Sequence, residues 1–131
     1  MIQVRTGIDL VDVPRLSQTI ERLGEAFLKR VFLPSEIDYC ARMAEPAIHY
    51  AARFAAKEAV AKALGTGIGE AVGWLEIEVD RGESGRPRLC LHGNAVAVAR
   101  GQGVVQMDLS LTHTAQIAAA QVVFLLETGE P

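Results

Sequence analysis

Apolar positions along the chain change their spacing from segment to segment, and each change marks an element. From Ile2 to Val13 the alternation is poor, but Val4, Ile8, Val11 and Val13 cluster around Gly7. That density of β-branched residues predicts a buried strand ending near Asp12. Leu16, Ile20, Leu23 and Phe27 then recur at three- and four-residue spacing and leave Arg15, Gln18, Glu21, Arg22 and Glu25 for solvent. This is an amphipathic helix with Gly24 as its break point. Pro14 suits the first turn, where its missing N–H costs nothing, and Asp12 stands near the cap. After Val31-Phe32-Leu33, Pro34 and Ser35-Glu36 open a short helix to about Arg42. Ser35 or the preceding turn caps it, and Glu36 complements its positive end. Ala44-Glu45-Pro46 links onward.

From Ala47 to Leu64 there is neither proline nor glycine, and alanine fills most of the tight positions between Ala51 and Ala63. Alanine is the strongest intrinsic helix former, so this is the longest helix expected. Gly65 closes it, with Lys62 one turn back at the negative end of the helix dipole. The loop Gly65-Thr66-Gly67-Ile68-Gly69 follows. Leu75, Ile77 and Val79 alternate with Glu76, Glu78 and Asp80, turn chemistry runs from Gly82 to Pro87, and Arg88 to His92 alternates again. A hairpin is expected. A short helix starts at Gly93 or Asn94 and closes near Gly101 and Gly103. Val104–Thr112 and Ile117–Glu127 form the last two strands, joined at His113-Thr114-Ala115-Gln116. Leu109 and Leu111 share a face with His113, while Asp108, Ser110, Thr112 and Thr114 share the other.

Length and composition narrow the class. At 131 residues the chain is read as one domain, residues 1–131, able to build a core without metal or disulfide staples. Half the residues are apolar and 22% are charged, a globular composition. A net charge of −3 carries no polybasic signature, so nucleic acid is not expected as the main partner. Cys40 and Cys90 lie far apart without CxxC spacing, which reads as two reduced, buried thiols. With no apolar run of membrane-spanning length and no signal-peptide layout, the expectation is a soluble, cytoplasmic protein with no membrane partner.

Candidate chemistry is sparse. Asp9 stands inside an apolar strand, where an acid is costly unless paired, protonated or bound to metal. Its ordinary role would be a strand-end cap or turn former. Phe54, Glu58 and Lys62 fall on one helical stripe; alone, Glu58 and Lys62 at i, i+4 would be a common surface ion pair. The glycine loop beyond them allows close backbone approach, though a simple turn would need no more. His113 has the look of a structural strand-end histidine, and neither His49 nor His92 stands at metal-ligand spacing from it. There is no nucleophile elbow, Walker loop or dinucleotide fingerprint.

Three blocks in order carry a family resemblance: Gly7-Ile8-Asp9-Leu10-Val11-Asp12, then Arg53-Phe54-Ala55-Ala56-Lys57-Glu58-Ala59-Val60-Ala61-Lys62-Ala63-Leu64-Gly65, then Ser110-Leu111-Thr112-His113-Thr114. They resemble the holo-acyl-carrier-protein synthase family of 4′-phosphopantetheinyl transferases. The central block is the specific one, and Gly85-Arg86-Pro87 looks like the family's turn of glycine, basic residue and proline. Only Cys40 to His49 is matched in length alone.

The resemblance implies an α+β fold of the 4′-phosphopantetheinyl transferase type, with a small antiparallel sheet packed on a long central helix and shorter helices. It also implies Mg²⁺-dependent transfer of phosphopantetheine from coenzyme A to a serine hydroxyl of an apo acyl carrier protein, releasing adenosine 3′,5′-bisphosphate. Asp9 and Glu58 would hold the metal, and Lys62 would meet the diphosphate and stabilise or protonate the leaving nucleotide. For the serine proton two acceptors stay open, Glu58 or a metal-bound water relayed through a carboxylate. Gly65, Thr66 and Gly67, the Arg86-Pro87 turn, and His113 with Thr114 would line the coenzyme A cleft, partly completed by a neighbour in a homotrimer. Arg15 and Arg22, two helical turns apart, would dock the carrier's acidic helix. A noncatalytic carrier- or nucleotide-binding module would need the fold without Asp9, Glu58 and Lys62; a metal-dependent diphosphate hydrolase would keep them.

Overall fold

A computed structural model describes residues 1–82 and 84–129. In chain order the elements are β1 (Ile2–Asp12), α1 (Val13–Leu23), α2 (Glu25–Val31), α3 (Pro34–Ala41), α4 (Pro46–Leu64), a 3₁₀ turn (Trp74–Glu76), β2 (Ile77–Arg81), β3 (Pro87–Leu91), α5 (Asn94–Gly101), β4 (Val104–His113) and β5 (Ile117–Glu127). The expected α+β architecture is present. One antiparallel sheet has the order β1-β5-β4, and β2 and β3 form a separate ribbon. Asp12 caps α1 as expected, its Oδ1 accepting from the Arg15 N–H at 3.0 Å. Gly24, at φ 64°, separates α1 from α2.

α4 lies across one face of the three-stranded sheet, and its alanines let it lie close. Ala51, Ala55, Ala56, Ala59 and Ala61 are fully buried. Along its C-terminal half they join Val60, Val72, Ile77, Ala95, Val122 and Phe124 in one core. Toward its N-terminus, Tyr50, Ala51 and Ala52 join Val31, Phe32, Cys40 and Ala118 in a second. The approach is closest at Gly7, where an added Cβ would collide with the carbonyl oxygen of Ala59. Side chains alternate across a strand, so Gly7, Asp9 and Val11 share the face of β1 that meets α4.

Several expectations need correction. β1 is not buried on both faces: Ile2, Val4, Ile8 and Leu10 are 57–65% exposed. They line the sheet face opposite α4, where no second layer is packed among the described residues. The strand expected from Leu75 begins at Ile77; Leu75 sits in the 3₁₀ turn and is exposed. Ser35 does not cap α3. Its Oγ donates to Glu78, and Glu36 turns back instead to accept from the Leu33 N–H at 2.8 Å. Cys40 is buried but Cys90 is exposed, because its side chain takes the ribbon face away from the buried Ile77 and Val79. Of the turn expected from Gly82 to Pro87, Glu83 lies outside the described residues; Gly82 N–H donates to the Arg86 carbonyl at 3.0 Å.

Candidate active site between the first strand and the central helix

Two neighbouring elements deliver the acids. β1 turns Asp9 toward α4 in the row of Ala120 on β5, and α4 presents Glu58 and Lys62 one turn apart. The close approach at Gly7 brings these side chains into reach of one another. Lys62 Nζ donates to Asp9 Oδ1 at 2.9 Å and to the Ile8 carbonyl at 3.1 Å. The cation therefore bridges from helix to strand, and its partner is Asp9, not the Glu58 that i, i+4 spacing suggests. Asp9 is 18% exposed and Lys62 52%, so the pair is partly solvated and can open without stranding a buried charge. Glu58 is half-buried, with its carboxyl pushed up first by burial and second by the Asp9 carboxylate, against the opposing pull of Lys62.

Asp9, Asp12, Arg15, Thr19, Phe54 and Glu58 line a cavity of about 330 Å³. A second of about 310 Å³ lies alongside, lined by Arg15, Gln18, Thr19 and Arg22. The two share Arg15 and Thr19, so the basic face of α1 runs directly into the carboxylate pocket. Of the three carboxylates on this pocket Asp12 is engaged in capping α1; Asp9 and Glu58, repelling each other and offering only oxygen donors, form a set suited to a hard dication such as Mg²⁺. Burial is the larger cause of the raised Glu58 carboxyl, and repulsion from Asp9 adds to it.

The other expected site residues are dispersed. Gly65, at φ 77°, caps α4, and the N–H groups of Thr66 and Gly67 both donate to the Ala61 carbonyl. These amides close the helix and are not turned outward for an anion. Arg86 pairs with Asp108 at 3.0 Å across to β4, and Pro87 opens β3. His113 packs edge-on to His49 with ring centroids 6.2 Å apart, a contact that linear spacing did not reveal. Thr114 Oγ1 accepts from the N–H groups of Gln116 and Ile117 at 3.1 Å each, so it shapes the β4–β5 turn. Since His49 precedes Glu58 by nine helical residues, His113 lies roughly 13 Å along α4 from the acids. Within one chain Asp9, Glu58, Lys62, Arg15 and Arg22 gather at one place, while His113, Thr114, Arg86 and Pro87 do not join them.

Sequence reasoning missed a buried ionic cluster behind the pocket. Lys57, fully buried, donates to Glu36 Oε1 at 2.7 Å and to the Trp74 carbonyl at 2.9 Å. Glu36, also buried, accepts from the Val79 N–H at 2.9 Å through its other oxygen. Burial lowers the Lys57 pKa, with Glu36 acting against it. Arg53 lies one turn before Lys57 and stacks on the Tyr39 ring at 4.3 Å. Two charged residues at i, i+4 among alanines were the available signal; Glu36, a partner 21 residues away, was not visible. The cluster ties α4 to α3 and β2, which sets the rotation that presents Glu58 and Lys62.

The sequence profile of the 4′-phosphopantetheinyl transferase superfamily matches residues 5–118. The holo-[acyl-carrier-protein] synthase of Koribacter versatilis is 49% identical over 118 residues, covering 90% of this chain and 94% of that protein. The crystal structure of the Neisseria meningitidis holo-[acyl-carrier-protein] synthase superposes with a TM-score of 0.84 at 32% identity, over 92% of this chain and 96% of that one. The Helicobacter pylori holo-[acyl-carrier-protein] synthase, solved in complex with coenzyme A, gives a TM-score of 0.79 at 30% identity, over 91% and 98%.

Proposed function

This chain belongs to the 4′-phosphopantetheinyl transferase superfamily, and we propose that the pocket between β1 and α4 is where it carries out that transfer. It is a holo-acyl-carrier-protein synthase, moving 4′-phosphopantetheine from coenzyme A to a serine of an apo acyl carrier protein for fatty acid or polyketide synthesis. In the reaction the serine oxygen bonds to the phosphorus that bears pantetheine, the diphosphate P–O bond breaks, and adenosine 3′,5′-bisphosphate leaves. The observation that carries the site assignment is the meeting of Asp9, Glu58 and Lys62 from two elements beside the Arg15–Arg22 groove.

Asp9 and Glu58 would hold Mg²⁺, which when bound would polarise the reacting phosphate and offset its charge. Lys62, half exposed and in a partly solvated pair with Asp9, would exchange that pairing for the diphosphate and steady the charge that develops on the leaving nucleotide. Arg15 and Arg22 supply a local positive surface on a chain of net charge −3, fitted to an acidic carrier helix arriving next to the metal.

The coenzyme A cleft is assembled between copies. His113, Thr114, Arg86 and Pro87, with the loop Gly65, Thr66 and Gly67, would hold the nucleotide end, yet within one chain these groups are scattered. The uncovered apolar face of β1 gives a homotrimer its contact surface. No helix among the described residues is long and apolar enough to cross a membrane. Unpaired Cys40 and Cys90 agree with a reducing, cytoplasmic setting.

Incubating the protein with coenzyme A and Mg²⁺, with and without apo carrier, tests this reading against a diphosphate hydrolase. Bisphosphate should appear only when the carrier is present. Release without it would make the chain a hydrolase. In the same assay Arg15→Glu with Arg22→Glu should raise the carrier KM strongly and leave coenzyme A binding unchanged. An unaltered carrier KM and salt dependence would move docking to another face.

A further inference from the structure

We propose that Glu78, Cys90 and His92, on the β2–β3 ribbon, form a second metal site of a different kind, one that takes a borderline-soft dication such as Zn²⁺. Glu78 and Cys90 are opposed residues in the ribbon register, so their side chains project from the same face. His92 leaves the end of β3 and turns back over that face, its Nε2 at 2.7 Å from Glu78 Oε1. One ligand atom from each residue, a carboxylate oxygen, the thiol sulfur and a ring nitrogen, lies within 4.8 Å of the other two. Tetrahedral zinc holds sulfur at about 2.3 Å and nitrogen or oxygen at about 2.0–2.2 Å, which places its ligand atoms roughly 3.3–3.8 Å apart. Closing from 4.8 Å to that separation needs only side-chain rotation at residues that are not packed in the core.

The supporting shell is in place. Ser35 Oγ donates to Glu78 Oε2 at 2.9 Å, leaving Oε1 for the metal, and the backbone N–H of His92 donates to the Glu76 carbonyl at 2.8 Å, fixing where its side chain starts. Three protein ligands leave the fourth position for water. Thiolate and imidazole select zinc, cobalt or copper over magnesium, so this site and the all-oxygen pair Asp9 and Glu58 draw on different ions. On binding, Cys90 gives up its thiol proton to solvent and the His92–Glu78 contact is replaced by two metal bonds. The ion would tie the two strands together at the open end of the ribbon, where Glu78 also accepts from Ser35 at the start of α3.

Co²⁺ titration in excess Mg²⁺ tests the proposal, because cobalt bound to a thiolate shows a sulfur-to-metal charge-transfer absorption that oxygen sites lack. Cys40 is buried, its thiol pushed up to about 12, so it does not compete for the ion. The band should appear at one cobalt per chain, be displaced by Zn²⁺, persist in Asp9→Ala and vanish in Cys90→Ala. His92→Ala and Glu78→Gln should each weaken Co²⁺ binding tenfold or more. No band in the wild type, a band surviving Cys90→Ala, or affinity unchanged by both His92→Ala and Glu78→Gln would leave only a surface His–Glu contact and overturn the site. Circular dichroism of each variant separates lost binding from lost folding: a folded variant that behaves as stated supports the site, and Cys90→Ser provides the same readout should Cys90→Ala unfold.

Discussion

Glu58 stands half-buried against Asp9, and the nearby cation, Lys62, is bonded to Asp9. Its carboxyl is therefore pushed above the ordinary value of 4.5, by burial first and Asp9 second. A carboxyl raised in the folded state favours folding at low pH and opposes it as pH climbs through that raised value, because the unfolded chain then ionises more readily. Glu58→Gln should accordingly raise the melting temperature of the metal-free protein at pH 7, and the gain should shrink as pH falls toward 4.5 and below. A lowered melting temperature at pH 7, or a difference independent of pH, would mean that Glu58 is not strained by its neighbour. At this scale the sequence was legible in part. An acid in an apolar strand and a Glu–Lys stripe were visible as residue types, but the true partner of Lys62 lies 53 residues away on another element. Local spacing could only suggest Glu58.

Among the elements, β1 and α4 matter most, and Gly7 determines how near they come. The alanine run, the cap at Gly65 and the N-cap at Asp12 were legible because each is settled by local backbone chemistry. The exposed face of β1, the 3₁₀ turn at Leu75 and the use of Glu36 were not. Each depends on what packs against the segment: no layer covers Ile8, the ribbon begins after Leu75, and a buried Lys57 draws Glu36 inward. Gly7→Ala forces a Cβ into the Ala59 carbonyl, and backbone of a packed helix cannot step aside cheaply. The expected cost is about 1–3 kcal/mol of stability. Asp9, two residues on, should move off Glu58 with it, so transfer activity should fall by more than the loss of folded protein explains. Urea unfolding and specific activity per folded molecule measure the two effects. Wild-type values for both would mean that β1 and α4 do not need this contact.

For the whole molecule, the proposed trimer gives the apolar face of the sheet and the scattered candidate nucleotide-binding residues one explanation, a cleft that would be complete only between copies. Ile8, 61% exposed, lies on that face, away from the acids. Ile8→Glu should reduce the mass in sedimentation from three chains to one of 14.1 kDa. It should also weaken coenzyme A binding without altering the circular dichroism of the chain. A wild type that sediments as a monomer, or a variant that stays trimeric, would remove the shared cleft. Whether copies meet on this face was beyond the reach of the linear sequence, since an apolar strand reads alike whether its partner is its own core or a neighbour.

In the proposed mechanism the molecule's activity turns on Asp9 and Glu58 sharing one dication, and the turnover of Asp9→Ala across a Mg²⁺ titration tests this most directly. Recorded alongside the melting transition of the same samples, turnover should be reduced by two or more orders of magnitude, on the scale of losing a preorganised charge-stabilising group, while melting is preserved. Near-normal turnover at limiting Mg²⁺ in a folded Asp9→Ala variant would contradict it.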